Sequence, residues 1–374
     1  MQAIEDHLFE NRVLVLYGAR QVGKTTLVKE LQSRFEGKSV YLNCDEPDIR
    51  EGLEARTSTE LQYFFGDAEL VILDEAQRVK DIGLTLKLAA DSLPKVQIIA
   101  TGSSSFDLAN KTTEPLTGRK YEFHLHPVSY PEFVASESQI EAKRLLDVRL
   151  IYGSYPAVIT SGRNRSVEIL QELTSSYLYK DILAWKDIRH PEVLEKLLRA
   201  LALQIGSQVS HPELGNLLGI DKATVESYIR LLEQAFVIFR LPPYSTNQRN
   251  ELKKMNKVYF WDTGIRNALI QNLNPPELRA DTGALWENYV IAERLKATQY
   301  TRTPFSPYFW RTHQQQEVDY VEDKGGQLLA AEIKRNPKRG KGKLPLTFTR
   351  VYPNAKTMVV TQDNLMDFLS NHPE

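Results

Sequence analysis

Gly18-Ala19-Arg20-Gln21-Val22-Gly23-Lys24-Thr25 stands between an apolar run, Val13-Leu14-Val15-Leu16-Tyr17, and a helix expected to open at Lys24. Strand, glycine-rich turn and helix in that order make a phosphate-binding loop. Gly18 and Gly23 let the backbone turn so that successive N–H groups face the phosphates. Lys24 then reaches the β and γ oxygens, and the Thr25 hydroxyl takes Mg²⁺. Ala19, Arg20, Gln21, Val22 and Thr26 complete the stretch that would hold the nucleotide.

The second half of such a site is expected in Leu70-Val71-Ile72-Leu73-Asp74-Glu75, four apolar residues ending in two carboxylates. That is how a buried parallel strand delivers acids to its C-terminal edge. Asp74 is expected in the Mg²⁺ shell. Glu75, one residue on, is the candidate base or water-orienting group in front of the γ-phosphate. A further strand, Val96 to Thr101, runs into Gly102-Ser103-Ser104-Ser105. Ser103 is a candidate γ-phosphate sensor, and a Ser/Gly turn capping the next helix reads the same residues equally well.

Composition sets limits around this reading. The 374 residues suggest two or three domains, and 42% hydrophobic with 25% charged residues is ordinary for a globular chain. A net charge of −1 leaves nucleic-acid contact to local patches rather than to global attraction. The single cysteine, Cys44, excludes an internal disulfide and suits a reducing cytoplasm. Met1 to Glu10 lacks the apolar core of a signal peptide, and no stretch approaches the roughly 20 apolar residues of a membrane span.

Up to about residue 128, strands near 12–17, 39–43, 69–74, 96–101 and 121–126 alternate with helices near 24–34, 57–65, 84–92 and 104–110. This alternation predicts an α/β fold with a parallel sheet and helices on both faces. Beyond it, residues 129–206 read as helical, interrupted by Gly153-Ser154-Tyr155-Pro156 and His190-Pro191. Residues 210–241 read as a helix-turn-helix with a wing: Ser210 and Glu213 as a cap, Gly219-Ile220-Asp221 as the turn. The second helix buries Val225, Ile229 and Leu232 and leaves Lys222, Thr224, Ser227 and Arg230 outward. Such a module either enters a DNA groove or packs as a scaffold, and Glu226 and Glu233 would meet phosphates poorly.

In the last hundred residues, a helix with Glu287 precedes three strands carrying Asp319, Glu332 and Lys334. Convergence of Glu287, Asp319 and Glu332 would hold a divalent metal, with Lys334 on Glu332's side addressing a scissile phosphate. Taken singly, each is an ordinary surface charge. Six of residues 334–343 are Lys or Arg, a run that suits a phosphate backbone or a solvated loop equally.

These residues resemble a family of prokaryotic AAA+ ATPases whose P-loop domain is followed by a poorly characterised tail with a winged helix and a PD-(D/E)xK nuclease-like part. The resemblance rests on the loop at 18–27, Leu-Asp-Glu-Ala-Gln at 73–77, Thr-Gly-Ser-Ser at 101–104, Leu-Thr-Gly-Arg at 116–119 and Gly-Ser-Tyr-Pro at 153–156. It continues through Asp-Thr-Gly-Ile-Arg at 262–266, Trp-Glu-Asn-Tyr-Val at 286–290, Glu-Val-Asp-Tyr at 317–320 and Glu-Ile-Lys at 332–334. It implies an ATPase core over 1–128, a helical lid or connector over 129–206, a winged helix over 207–260 and an α+β nuclease-like domain over 261–374. It also implies ATP and Mg²⁺ as cofactors, and a ring-shaped homo-oligomer, a hexamer by expectation. Arg119 resembles the arginine that reaches a neighbouring subunit's γ-phosphate.

Two functions remain open from the sequence. In one, ATP turnover drives remodelling of, or translocation on, duplex or branched DNA, with the tail as reader, clamp or nuclease. In the other, ATP controls a signalling or defence switch and DNA is not the substrate.

Overall fold

The computed structural model describes residues 1–54, 57–102, 116–177, 191–245, 255–336 and 343–370. The chain divides into two compact units, residues 1–126 with 234–236, and residues 127–233 with 237–374.

The first unit is built on a five-stranded sheet. Its strands are β1 (Val13–Gly18), β2 (Ser39–Asn43), β3 (Leu70–Asp74), β4 (Gln97–Gly102) and β5 (Lys120–Leu125), in the order β2-β3-β4-β1-β5. Every pairing is parallel. Strands β1, β3 and β4 are buried along their whole length, which is why they read as unbroken apolar runs. Helices Lys24–Arg34, Pro47–Leu53, Ser58–Phe65 and Ile82–Ser92 connect the strands. Val28 and Leu31 of the first helix pack with Leu14, Leu16, Leu70, Ile72 and Ile99.

The second unit opens with helices, among them Tyr130–Ser136, Leu146–Tyr152, Arg163–Glu172 and Pro191–Leu203. Then His211–Leu218 is capped by the Ser210 hydroxyl, which accepts from Glu213 N, and ends at Gly219 in the left-handed region. Helix Lys222–Gln234 follows and leads into an antiparallel pair, β6 (Ile238–Leu241) and β7 (Lys257–Phe260). Val225, Ile229 and Leu232 are buried on that helix.

Helix Thr282–Tyr300 runs through the interior of this unit. Its buried charges are paired: Arg294 Nε meets Glu322 Oε1 at 2.6 Å, and Lys296 Nζ meets Glu293 Oε1 at 2.8 Å. A four-stranded sheet completes the unit, with β8 (Ser306–Arg311), β9 (Glu317–Lys324) and β10 (Gln327–Ile333) antiparallel, and β11 (Lys356–Val360) parallel to β10. The sequence pointed to three of these strands; the fourth lies past the basic run. The architecture is α/β, a parallel sheet with flanking helices followed by a helical region and a mixed-sheet domain. Among the described residues no helix is long and apolar enough to cross a membrane.

Candidate functional site

Strand β1 ends at Gly18, and the helix after it starts at Lys24. Between them Gly23 is the N-cap at φ 100°, a backbone that residues with a Cβ rarely adopt. Lys24 is only 5% exposed and donates from Nζ to the carbonyls of Gly18 and Ala19, both at 2.9 Å. The ammonium is thereby tied to the backbone of its own loop.

Asp74, at the end of β3, is also buried. Its Oδ2 accepts from Thr25 Oγ1 at 2.7 Å and from Tyr41 Oη at 2.5 Å, and its Oδ1 accepts from Thr101 Oγ1. The Thr25–Asp74 pair therefore joins the helix opening to the acidic strand, the two groups that share a Mg²⁺ shell in phosphate-loop sites. Tyr41 comes from β2 and Thr101 from β4, the strands flanking β3. Burial, and then the bond to Asp74, raises the Tyr41 hydroxyl well above its ordinary value, so it stays protonated as a donor. Cys44 is buried nearby, with its thiol pushed up to about 12, first by burial and then by Asp74. It is inert as a nucleophile.

Glu75 follows at φ 55°, a left-handed conformation unusual outside glycine. Two bonds keep it there: its N–H donates to Thr101 Oγ1 at 3.1 Å, and Gln77 Nε2 donates to its Oε2 at 2.5 Å. Tyr41 and Gln77 were not singled out by the sequence reading. Gln77 lies within the quoted Leu-Asp-Glu-Ala-Gln stretch, whereas the role of Tyr41 depends on the pairing of β2 with β3.

Arg119 ion-pairs through Nε with Asp91 Oδ1 at 2.5 Å, both side chains about two-fifths exposed. Ser103 lies outside the described residues, as do Lys338, Arg339 and Lys341 of the basic run. Of that run, Arg335 pairs with Asp147 at 2.7 Å.

A second cluster lies in the other unit. Asp319 on β9 and Glu332 on β10 stand one step beyond the Ala331–Tyr320 pair. Lys334 Nζ is 2.6 Å from Glu332 Oε1 and 4.0 Å from Asp319 Oδ2. Burial first, and then Glu332, raises Asp319 to about 6. Burial likewise raises Glu287 to about 7, against the opposing pull of Lys257. Lys257 on β7 is 1% exposed and reaches Glu287 Oε1 at 3.0 Å and Glu317 Oε1 at 2.5 Å. Tyr259 Oη donates to the same Glu287 oxygen at 2.6 Å.

The structure thus brings Glu287, Asp319, Glu332 and Lys334 into one cluster and adds Lys257, Tyr259 and Glu317. Among the described residues no three or more His, Cys, Asp or Glu form a group able to hold a metal. Glu332 Oε2, a buried acceptor with no hydrogen-bond partner, is the atom that best fits a cation there. Nothing local in the sequence marks Lys257 as buried: its partners come 30 and 60 residues later.

Comparison with known proteins matches residues 10–134 to an AAA domain family, residues 143–276 to a domain of unknown function (DUF8612), and residues 282–372 to another (DUF4143). An uncharacterized protein of Mycobacterium tuberculosis is 29% identical over 329 residues, covering 86% of this chain and 70% of the relative. One of Haemophilus influenzae is 23% identical over 347 residues, covering 86% and 82%. Among solved structures, Cdc6p from Pyrobaculum aerophilum aligns over 72% of this chain and 88% of its own. Its identity is 15% and its TM-score 0.25, too slight a likeness for functional argument. The chain therefore carries a P-loop AAA domain followed by a C-terminal DUF4143 domain.

Proposed function

We propose that the protein is an oligomeric ATPase that uses ATP and Mg²⁺ to bind and remodel, or translocate on, DNA, branched DNA included. The observation that carries the ATPase part is the bond from Thr25 to Asp74, with Glu75 held one residue on. In this reading the N–H groups of residues 18–26 cradle the phosphates and Lys24 neutralises the β and γ oxygens. Thr25 and Asp74 hold the ion, and Glu75 takes the proton of the attacking water. Ser103 senses the γ-phosphate. Arg119 leaves Asp91 to reach the γ-phosphate of the next subunit.

For DNA, the support is the helix Lys222–Gln234, read as the recognition helix of a winged helix with β6 and β7 as its wing. Arg240 of β6 binds Glu226 at 2.8 Å and Glu233 at 2.7 Å, which offsets part of the charge of the two acids that would repel phosphates. Lys222, Ser227 and Arg230 remain exposed. Asp319 and Glu332, with Lys334 beside them, form the proposed cation centre of a nuclease-like tail.

The test is steady-state ATPase at one salt concentration without nucleic acid and with duplex, single-stranded and four-way-junction DNA. Stimulation by one form that Lys222→Ala/Arg230→Ala weakens is the expected result. Turnover indifferent to every form overturns the DNA part and favours the ATP-controlled switch.

A further inference from the structure

Four carboxylates, Glu287, Glu317, Asp319 and Glu332, stand in the second unit's cluster, and two ammonium groups divide them. Lys334 sits on the Asp319–Glu332 side. Lys257 sits on the Glu287–Glu317 side, its Nζ at 3.0 and 2.5 Å from their oxygens and 5.3 Å from the centre of the Phe309 ring. The separation from Glu287 is ordinary for ammonium and carboxylate, and Glu317 stands closer still. A Mg²⁺ ion needs oxygens at about 2.0–2.1 Å in octahedral array and usually keeps several waters. At 1% exposure, Lys257 fills that space with its own amine and stem.

The backbone leaves Lys257 little freedom to withdraw. Its residue pairs with Leu241 in the β6–β7 ladder and is bridged on the other side by Gln208. Swinging the amine away would leave a buried charge without its partners, which costs several kcal/mol. Glu287 is further committed by the Tyr259 hydroxyl, and Glu317 by Arg311 at 3.4 Å. Among the described residues of the cluster, the buried carboxylate oxygen without a hydrogen-bond partner is Glu332 Oε2.

We infer that the Lys257 ammonium is the resident cation of the Glu287–Glu317 pair, taking the place of a divalent ion, so that Glu287 is not a metal ligand in this chain. Any divalent ion held by the tail then lies on the Asp319–Glu332 side. This concerns the acidic cluster alone and holds whether or not the chain acts on DNA.

The experiment titrates Mn²⁺ into the full-length, nucleotide-free protein and counts free ion by electron paramagnetic resonance, with circular dichroism to verify folding. Wild type and Glu287→Gln are expected to take up the same number of ions with affinities within about twofold, an energy difference of about 0.4 kcal/mol or less. Lys257→Met is expected to take up one ion more, which Lys257→Met/Glu287→Gln loses again. An ion bound by wild type and lost in Glu287→Gln overturns the inference. So does a folded Lys257→Met that binds as wild type does. Should Lys257→Met not fold, the comparison of wild type with Glu287→Gln decides by itself.

Discussion

A glutamate held at φ 55° by Thr101 and Gln77 stores backbone strain of about 1–3 kcal/mol, and the surroundings that enforce it lie beside the phosphate loop. Glu75→Gln preserves the shape and removes the base. It is expected to bind ATP as wild type does while turnover falls about 10²–10⁴-fold, measured by fluorescent-nucleotide titration and phosphate release. A second residue-scale expectation concerns Asp281. Burial pushes its carboxyl up, but hydrogen bonds from Arg279 and Arg266 outweigh it and hold it at about 2, below the ordinary 3.8. A depressed acid stabilises the fold above its unfolded pKa and ceases to do so as pH falls through the folded one. Wild type should therefore lose about 2 kcal/mol between about pH 4 and pH 2 from this residue, read from urea midpoints. Asp281→Asn should lack that acid limb and start lower, because it leaves the buried Arg266 and Arg279 without their carboxylate. At this scale the sequence revealed Lys24, Thr25 and Asp74 as neighbours through motif spacing. It was silent on Tyr41 and Lys257, whose partners are fixed by strand order and by residues far along the chain.

Among elements, the five strands of the first sheet were legible almost to the residue; in β1, β3 and β4 burial on both faces leaves an uninterrupted apolar signature, whereas β2 and β5 at the borders are only partly buried. Helix Pro47–Leu53 was not: Gly52 and Leu53 are its only buried residues, so it carries no apolar period to detect. In the second unit the stretches Gly153-Ser154-Tyr155-Pro156 and Asp262-Thr263-Gly264-Ile265-Arg266 looked like separate motifs and turn out to be one joint. Asp262 caps its helix by accepting from Ile265 N at 3.0 Å and also accepts from Ser154 N at 2.7 Å. Gly264 packs so closely on the Tyr152 carbonyl that a Cβ there would overlap it. Gly264→Ala should accordingly destabilise this unit by about 3 kcal/mol or more, seen as a lower denaturation midpoint in tryptophan fluorescence.

For the molecule as a whole, the proposal of catalysis between subunits makes a sharp demand on Arg119. Arg119→Ala should lower turnover on the order of 10³-fold, as loss of an arginine supplied in trans does. Mixing it with Lys24→Ala protein should restore part of the activity, since each variant lends the other an intact half-site; no recovery returns Arg119 to its local pair with Asp91. The border of the parallel sheet has a consequence of another kind. Strand β2 is one of the two outermost strands, yet its Tyr41 grips the carboxylate that would carry the ion. Ligand occupancy and the pairing of that border are then thermodynamically linked: each must favour the other by the same free energy. ATP with Mg²⁺ should slow hydrogen exchange at the amides of Val40 to Leu42 more than at β5, the opposite border. A strand lying outside the loop would then report on the nucleotide.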